Sequence, residues 1–288
     1  MSRGTSARLE GLQEAVMGLK WQVRLAPTLY ERVISGESVP WAQFSSFLNK
    51  YVFAAHFTKG KTVVEIGCSF GYGSSYLMSR GARQVIGTDI EKEAIEYATD
   101  HYQKDGLHFL RLDATQLPFT DSSCDTVILF DIIEHLEEYE GFLRECKRVM
   151  KEGGILVCST PNKEVASFRF GKPLNPYHIK EFYIGELRHL LDDYFKKVII
   201  YGDGSPQGKR GRMIHKLANL LQFRLFPFMV TKMVIFRIGA FIYHRPMRLV
   251  RMEEIEADFD RISDESTKPY LLQDDTLQPG GLIAVAEK

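Results

Sequence analysis

Val63-Val64-Glu65-Ile66-Gly67-Cys68-Ser69-Phe70-Gly71-Tyr72-Gly73 is a β-branched run that stops in a glycine-rich turn. A strand entering such a turn lets the backbone approach a ligand without a Cβ clash. Working outward, residues 74–80 read as a helix and residues 84–89 as a second strand. Further strand-like runs cover 107–112, 126–130, 154–159 and 197–201, with helical stretches at 91–103, 139–150 and 187–193. Strands alternating with helices predict a parallel sheet built from right-handed crossovers. The expected fold is therefore α/β: a doubly wound, mostly parallel, Rossmann-like sheet. Apolar periodicity places N-terminal helices over 7–35 and 41–57 ahead of it. The apolar run 282–286 is expected to rejoin the sheet, which makes 204–280 a helical insertion before the last strand, far longer than an ordinary connection. The expected organisation is a helical extension over 1–58, a ligand-binding domain over 59–203 with 281–288, and the insertion.

Composition narrows the function. A chain of 288 residues makes one large domain or two small ones. With 44% hydrophobic and 26% charged residues, a disordered chain and a collagen-like fibre are excluded. Lys plus Arg is 37 and Asp plus Glu is 37, so no globally basic nucleic-acid binder is expected. Cys68, Cys124, Cys146 and Cys158 form no C-x-x-C pair, which argues against a zinc ribbon or redox dithiol. They read as small buried hydrophobes in a reducing compartment, and no metal site is expected. The N-terminal residues contain no apolar run of signal-peptide type, so a cytoplasmic protein is expected.

The glycine turn is accompanied by acids at matching positions. Asp89 ends the second strand, where a carboxylate can accept both hydroxyls of a ribose. Asp113-Ala114 follows the third, where an adenine edge would lie, and Asp131 follows the fourth. Any one aspartate reads as a helix cap. All of them on one sheet edge read as a ligand site. Glu65 lies ahead of Gly67, where a pyrophosphate would meet repulsion and a cationic amino-acid end would be attracted. That describes S-adenosylmethionine.

At these residues the chain resembles the class I S-adenosylmethionine-dependent methyltransferases over about 51–201. The resemblance rests on the glycine motif, Asp89, Leu112-Asp113-Ala114 with Leu117-Pro118-Phe119, Phe130-Asp131 with Glu134-His135-Leu136, and Gly153-Gly154 with Ser159-Thr160-Pro161-Asn162. The segments 51–55 and 175–182 are similar to a subgroup associated with glycan and polysaccharide biosynthesis. The family usually has glycine where Ser69 stands. The resemblance implies that Gly67, Ser69 and Gly71 line the methionine and ribose, and that Glu65 orients the methionine end directly or through water. It implies that Asp89 holds the ribose with Ile90 against the adenine, that Asp113 and Ala114 meet the adenine amino edge, and that Asp131 faces the methionine end.

Methyl transfer to a hydroxyl needs a base, and histidine suits that role near neutral pH. His135 and His178 follow strands on the ligand-bearing edge and are the candidates. The expected acceptor is an oxygen on a sugar, a glycan intermediate or a lipid-linked small molecule. A quinone precursor or lipophilic phenol is the alternative, and a non-catalytic S-adenosylmethionine-binding module is the rival from another class. From Gly204 to Met252 there are ten Lys/Arg and no Asp/Glu. Within it, 212–222 forms an amphipathic helix, with Arg212, His215, Lys216, Asn219 and Gln222 on one side and Met213, Ile214, Leu217, Leu220 and Leu221 on the other. The apolar run 225–243 holds Pro227, Lys232 and Arg237, which argues against a spanning helix. The stretch is expected to be a lid, a dimer interface or a contact with an anionic membrane surface at its inner face.

Overall fold

The computed structural model describes residues 39–114, 116–168, 172–203, 208–220, 249–250, 270–271 and 278–288. The sequence readings over 7–35 and 225–243 lie outside these. Seven strands form the sheet: β1 Thr62–Ile66, β2 Gln84–Asp89, β3 Leu107–Arg111, β4 Cys124–Phe130, β5 Met150–Pro161, β6 Lys197–Asp203 and β7 Gly281–Glu287. Their order is β3-β2-β1-β4-β5-β7-β6, and Tyr270–Leu271 adds a short eighth strand beyond β6. β1 to β5 pair in parallel, whereas β7 runs antiparallel between β5 and β6. The mostly parallel, Rossmann-like sheet is thus as expected, and 282–286 does return to it.

Every residue of β1 is buried, because helices cover both faces of the central strands. Helices α1 Trp41–Ala54, α2 Tyr72–Ser79 and α3 Lys92–Tyr102 cover one face. α4 Tyr139–Val149 and α6 Ile184–Asp192 cover the other, with the one-turn α5 Lys163–Ala166 between them in the chain. The helices seat themselves by period: α4 buries Phe142, Leu143, Cys146 and Val149, a stripe at 3.6-residue spacing. Leu48, Tyr51 and Ala54 of α1 belong to the core of the first face. All four cysteines are free and buried.

β5 begins earlier than residue 154. It starts at Met150, directly after α4, and its pairing with β4 shifts register before resuming at Ile155. Gly153, at φ +70°, supplies the bend that such a bulge needs. After β1 the chain steps out to β2 and β3, then returns to β4 on the opposite side of β1. This reversal between β1 and β4 opens a crevice at the carboxyl ends of the strands, where ligands bind in open α/β sheets.

In the insertion, α7 Lys209–Leu220 packs near α5. Two polar contacts tie it to the domain: Arg212 lies 3.6 Å from Glu164, and Asn219 Nδ2 donates to the Ala166 carbonyl at 2.8 Å. Met213, Ile214 and Leu217 are exposed. No helix among the described residues is long and apolar enough to cross a membrane.

Candidate active site

The turn after β1 winds through three left-handed residues: Gly67 at φ +78°, Ser69 at φ +49° and Gly71 at φ +80°. A Cβ on Gly67 would lie 2.2 Å from the Ile132 side chain, so the β1 and β4 loops meet there only because that position is glycine. The backbone N–H groups of Gly67 and Cys68 donate to the Thr88 carbonyl. Ser69 holds the positive φ that a glycine would take freely, and its N–H donates to Asp89 Oδ2 at 2.8 Å. Asp89 Oδ1 accepts from Glu91 N–H at 3.0 Å. Each carboxylate oxygen thus keeps lone-pair capacity at the crevice while the backbone fixes its direction. Ile90 beside it is exposed, a flat apolar surface of the kind a purine covers. Asp113 and Ala114 follow β3 on the same edge, with Asp113 exposed and its carbonyl accepting from Gln116 N–H.

Glu65 sits beneath this loop, fully buried. Tyr51 Oη donates to its Oε1 at 2.5 Å, and the Ser74 hydroxyl donates to Oε2. Burial pushes its pKa above the ordinary 4.5, helped by the Asp89 charge and opposed by the two donors. Tyr51 reaches it across Gly73, where a Cβ would stand 2.0 Å from the Tyr51 ring. The carboxylate therefore ties α1, β1 and α2 together below the loop and acts on a ligand through the loop it supports.

Asp131 leaves β4 in the left-handed region, at φ +56°. Lys50 Nζ meets its Oδ2 at 2.5 Å, and the Ser159 hydroxyl donates to Oδ1 at 2.9 Å. Lys50 also lies 3.8 Å from Asp203 at the end of β6. Although burial works against both charges, each partner holds the other ionised: Asp131 falls below 3.8 and Lys50 rises above 10.5. Three residues on, Glu134 is buried in the 3-10 turn Ile133–His135. Its Oε2 accepts from the Thr160 hydroxyl at 3.0 Å, whereas its Oε1 is buried without a hydrogen-bond partner. Burial, with the Asp131 charge, pushes the carboxyl up to about 8. The Ser159-Thr160 pair at the end of β5 therefore positions both acids that follow β4.

His135 and His178, remote in sequence, stand side by side, with ring centroids 4.9 Å apart. The loops that carry them are stitched together: Ile179 and Lys180 N–H groups donate to the Glu134 carbonyl, and His135 Nδ1 lies 2.9 Å from the Tyr177 carbonyl. A carbonyl partner makes Nδ1 the donor and leaves Nε2 with its lone pair. Burial lowers the His135 pKa and keeps that ring neutral. His178 Nδ1 lies 2.9 Å from Glu181 Oε1, a carboxylate that is itself buried. His178 Nε2 faces Asn175 Nδ2 at 2.9 Å, while Asn175 Oδ1 accepts from Tyr177 N–H.

The residues fit S-adenosylmethionine in kind: left-handed backbone beside the crevice, a directed carboxylate at the end of β2, an exposed apolar side chain next to it, and acids toward β4. Sequence reading missed Lys50, Glu181 and the role of Glu134. Lys50 carried a signal, as a cation on the apolar side of α1 beside Leu48 and Tyr51. Glu181 carried none, because nothing local distinguishes it from a solvated acid.

Residues 64–158 match the family model for the methyltransferase domain. The chain is 36% identical over 166 residues to the "Probable S-adenosylmethionine-dependent methyltransferase" of Mycolicibacterium smegmatis, covering 58% of this chain and 63% of that protein. It is 27% identical over 165 residues to the ubiquinone biosynthesis O-methyltransferase of Dinoroseobacter shibae, covering 56% of this chain and 66% of that protein. The match thus spans less than two-thirds of either relative. Among solved structures, an S-adenosylmethionine-dependent methyltransferase from Archaeoglobus fulgidus superposes with a TM-score of 0.51 at 17% identity, over 86% of this chain and 94% of that one. That likeness concerns the fold, which is the class I methyltransferase fold.

Proposed function

We propose that the chain is a class I S-adenosylmethionine-dependent methyltransferase that methylates an oxygen of a sugar, a glycan intermediate or a lipid-linked small molecule. The observation that carries this is the directed Asp89 carboxylate beside the left-handed 67–71 turn, on the same edge as the paired imidazoles. Gly67, Ser69 and Gly71 would line the methionine and ribose, Asp89 would take the ribose hydroxyls, Ile90 would cover the adenine, and Asp113 with Ala114 would meet its amino edge. The bound cofactor supplies an electrophilic sulfonium methyl, so the protein is left to orient the acceptor and handle its proton. His178 accepts that proton at Nε2 once Asn175 Nδ2 gives way to the acceptor, and Glu181 at Nδ1 stabilises the imidazolium. His135, neutral beside it, orients the acceptor hydroxyl. Asp131, clamped by Lys50 and Ser159, keeps a negative charge toward the methionine end.

A lipophilic phenol such as a quinone precursor is the second reading, supported by the relative named for ubiquinone biosynthesis. The exposed Met213, Ile214 and Leu217 on α7 support either lipophilic acceptor, because they offer apolar surface to a lipid interface. The test is calorimetric titration with S-adenosylhomocysteine. Asp89→Ala is expected to weaken binding by about 1.5–3 kcal/mol, roughly 10- to 150-fold. Unchanged affinity in that variant removes the cofactor site from this crevice. Release of S-adenosylhomocysteine with a panel of glycan and phenolic acceptors then separates the two acceptor classes, and tight binding with no turnover returns the binding-module reading.

A further inference from the structure

Three donor atoms converge beside Asp131: one each from Glu134, His135 and His178, all within 4.8 Å of one another. Two independent features say what they are arranged for. Both imidazoles have Nδ1 engaged by an oxygen, His135 by the Tyr177 carbonyl and His178 by the Glu181 carboxylate. That is how a metal-bound histidine is held, since the outer partner fixes the tautomer and aims the Nε2 lone pair at the ion. Glu134 then brings a carboxyl group that is fully buried, with Oε2 fixed by Thr160 and Oε1 left without a partner. A buried carboxyl oxygen without a partner is costly unless a cation or a hydrogen-bonding group arrives.

We propose that Glu134, His135 and His178 form a binding site for a divalent first-row transition ion. Two imidazoles and one carboxylate favour ions such as Mn²⁺, Fe²⁺, Co²⁺ or Zn²⁺ over Mg²⁺ or Ca²⁺, which prefer all-oxygen sets. Such ligands lie about 2.0–2.2 Å from the ion, so the three donors need to draw together by rotamer-scale movement, with Asn175 released from His178 Nε2. Three protein ligands leave a position open. Because the site adjoins the crevice, an acceptor hydroxyl can take that position, lose its proton to solvent and stand as a metal-held alkoxide. The inference rests on the methyl-transfer reading for this use, though not for the binding itself. It reassigns the histidines from proton acceptor to ligands.

The test uses the full chain stripped with a chelator and titrated separately with Mn²⁺ and Zn²⁺, without cofactor or acceptor. One equivalent of either ion should bind. His135→Ala, at the more exposed ligand, should lower affinity by at least 100-fold while S-adenosylhomocysteine binding is kept, as should Glu134→Gln if that variant folds. Glu181→Ala, which touches no ion, should cost about 10- to 100-fold through loss of the orienting bond to His178 Nδ1. Absence of saturable binding by either ion, or equal binding in His135→Ala, overturns the proposal. Retained S-adenosylhomocysteine binding in the same samples leaves the methyltransferase reading standing, whereas its loss in the unmodified chain sinks that reading instead.

Discussion

Replacing Lys50 with methionine isolates what holds the two ends of the sheet edge together. The ammonium is 8% exposed and pairs with Asp131, 28% exposed, and Asp203, 10% exposed. Methionine keeps most of the stem's packing and leaves two carboxylates near one another with no cation between them. Removing one partner of a buried ion pair costs about 3–5 kcal/mol. Asp131 keeps partial hydration and its Ser159 donor, so the lower end, about 3 kcal/mol, is expected, or roughly 5–10 °C in Tm. The sign with pH follows from both shifts. Asp131 is depressed below 3.8, so its contribution is present above that value and fades as pH falls through the depressed pKa. Lys50 is raised above 10.5, so its contribution is complete below 10.5 and fades as pH climbs through the raised pKa. The gap between wild type and variant should therefore be full from pH 7 to 9. It should narrow on acidification, first as the variant's carboxylates, which no longer face the ammonium, take up protons and then as Asp131 is protonated in the wild type. Urea unfolding at pH 4, 7 and 9 measures it. A difference under about 1 kcal/mol at pH 7, or one that grows toward pH 4, would refute the reasoning.

Tyr51→Phe withdraws one of the two donors from buried Glu65 and should cost about 1–3 kcal/mol at pH 7. The Tyr51 donor favours the ionised form of a carboxyl whose pKa is raised above 4.5, so in chemical denaturation the penalty should shrink as pH falls through that raised pKa; a pH-independent penalty would point to packing instead. Gly73→Ala drives a Cβ into the Tyr51 ring and should destabilise by at least 2 kcal/mol while weakening cofactor binding, and full stability in thermal unfolding would show that Tyr51 does not need that gap. His178→Ala should lower kcat by about 10²–10⁴-fold with S-adenosylhomocysteine affinity retained, and a variant with full turnover would remove His178 from the reaction. On α7, Ile214→Glu with Leu217→Glu should reduce co-sedimentation with anionic vesicles by more than about tenfold, since each apolar side chain contributes about 1.5–3 kcal/mol on burial; recovery of the unmodified chain in the supernatant at low salt would end the lipid-surface reading.

Local chemistry was enough to place the sheet. The β-branched runs and 3.6-residue stripes mark β1 to β4 and α2 to α4 to within a few residues, because each element is specified by its own periodicity. The loop at 67–71 was legible for the same reason: left-handed backbone demands particular residues, and Ser69 takes the glycine-like φ once Asp89 accepts its N–H. Asp89, Asp113 and Asp131 were found because parallel strands must all end on one edge. What no local pattern contained was distance. His135 and His178 became neighbours only when the Glu134 carbonyl accepted Ile179 and Lys180 N–H and closed two loops on each other. Lys50 reached Asp131 only because α1 packs across the first face, and Glu134 met the Thr160 hydroxyl only because β5 lies beside β4. The orientation of α7 also lay beyond the sequence. Its helical wheel separates polar from apolar sides, but only the packing against α5 decided that Arg212 and Asn219 turn toward the domain. Short-range propensity determines elements and turns, whereas the satisfaction of buried polar groups is a long-range condition that only the assembled fold can meet.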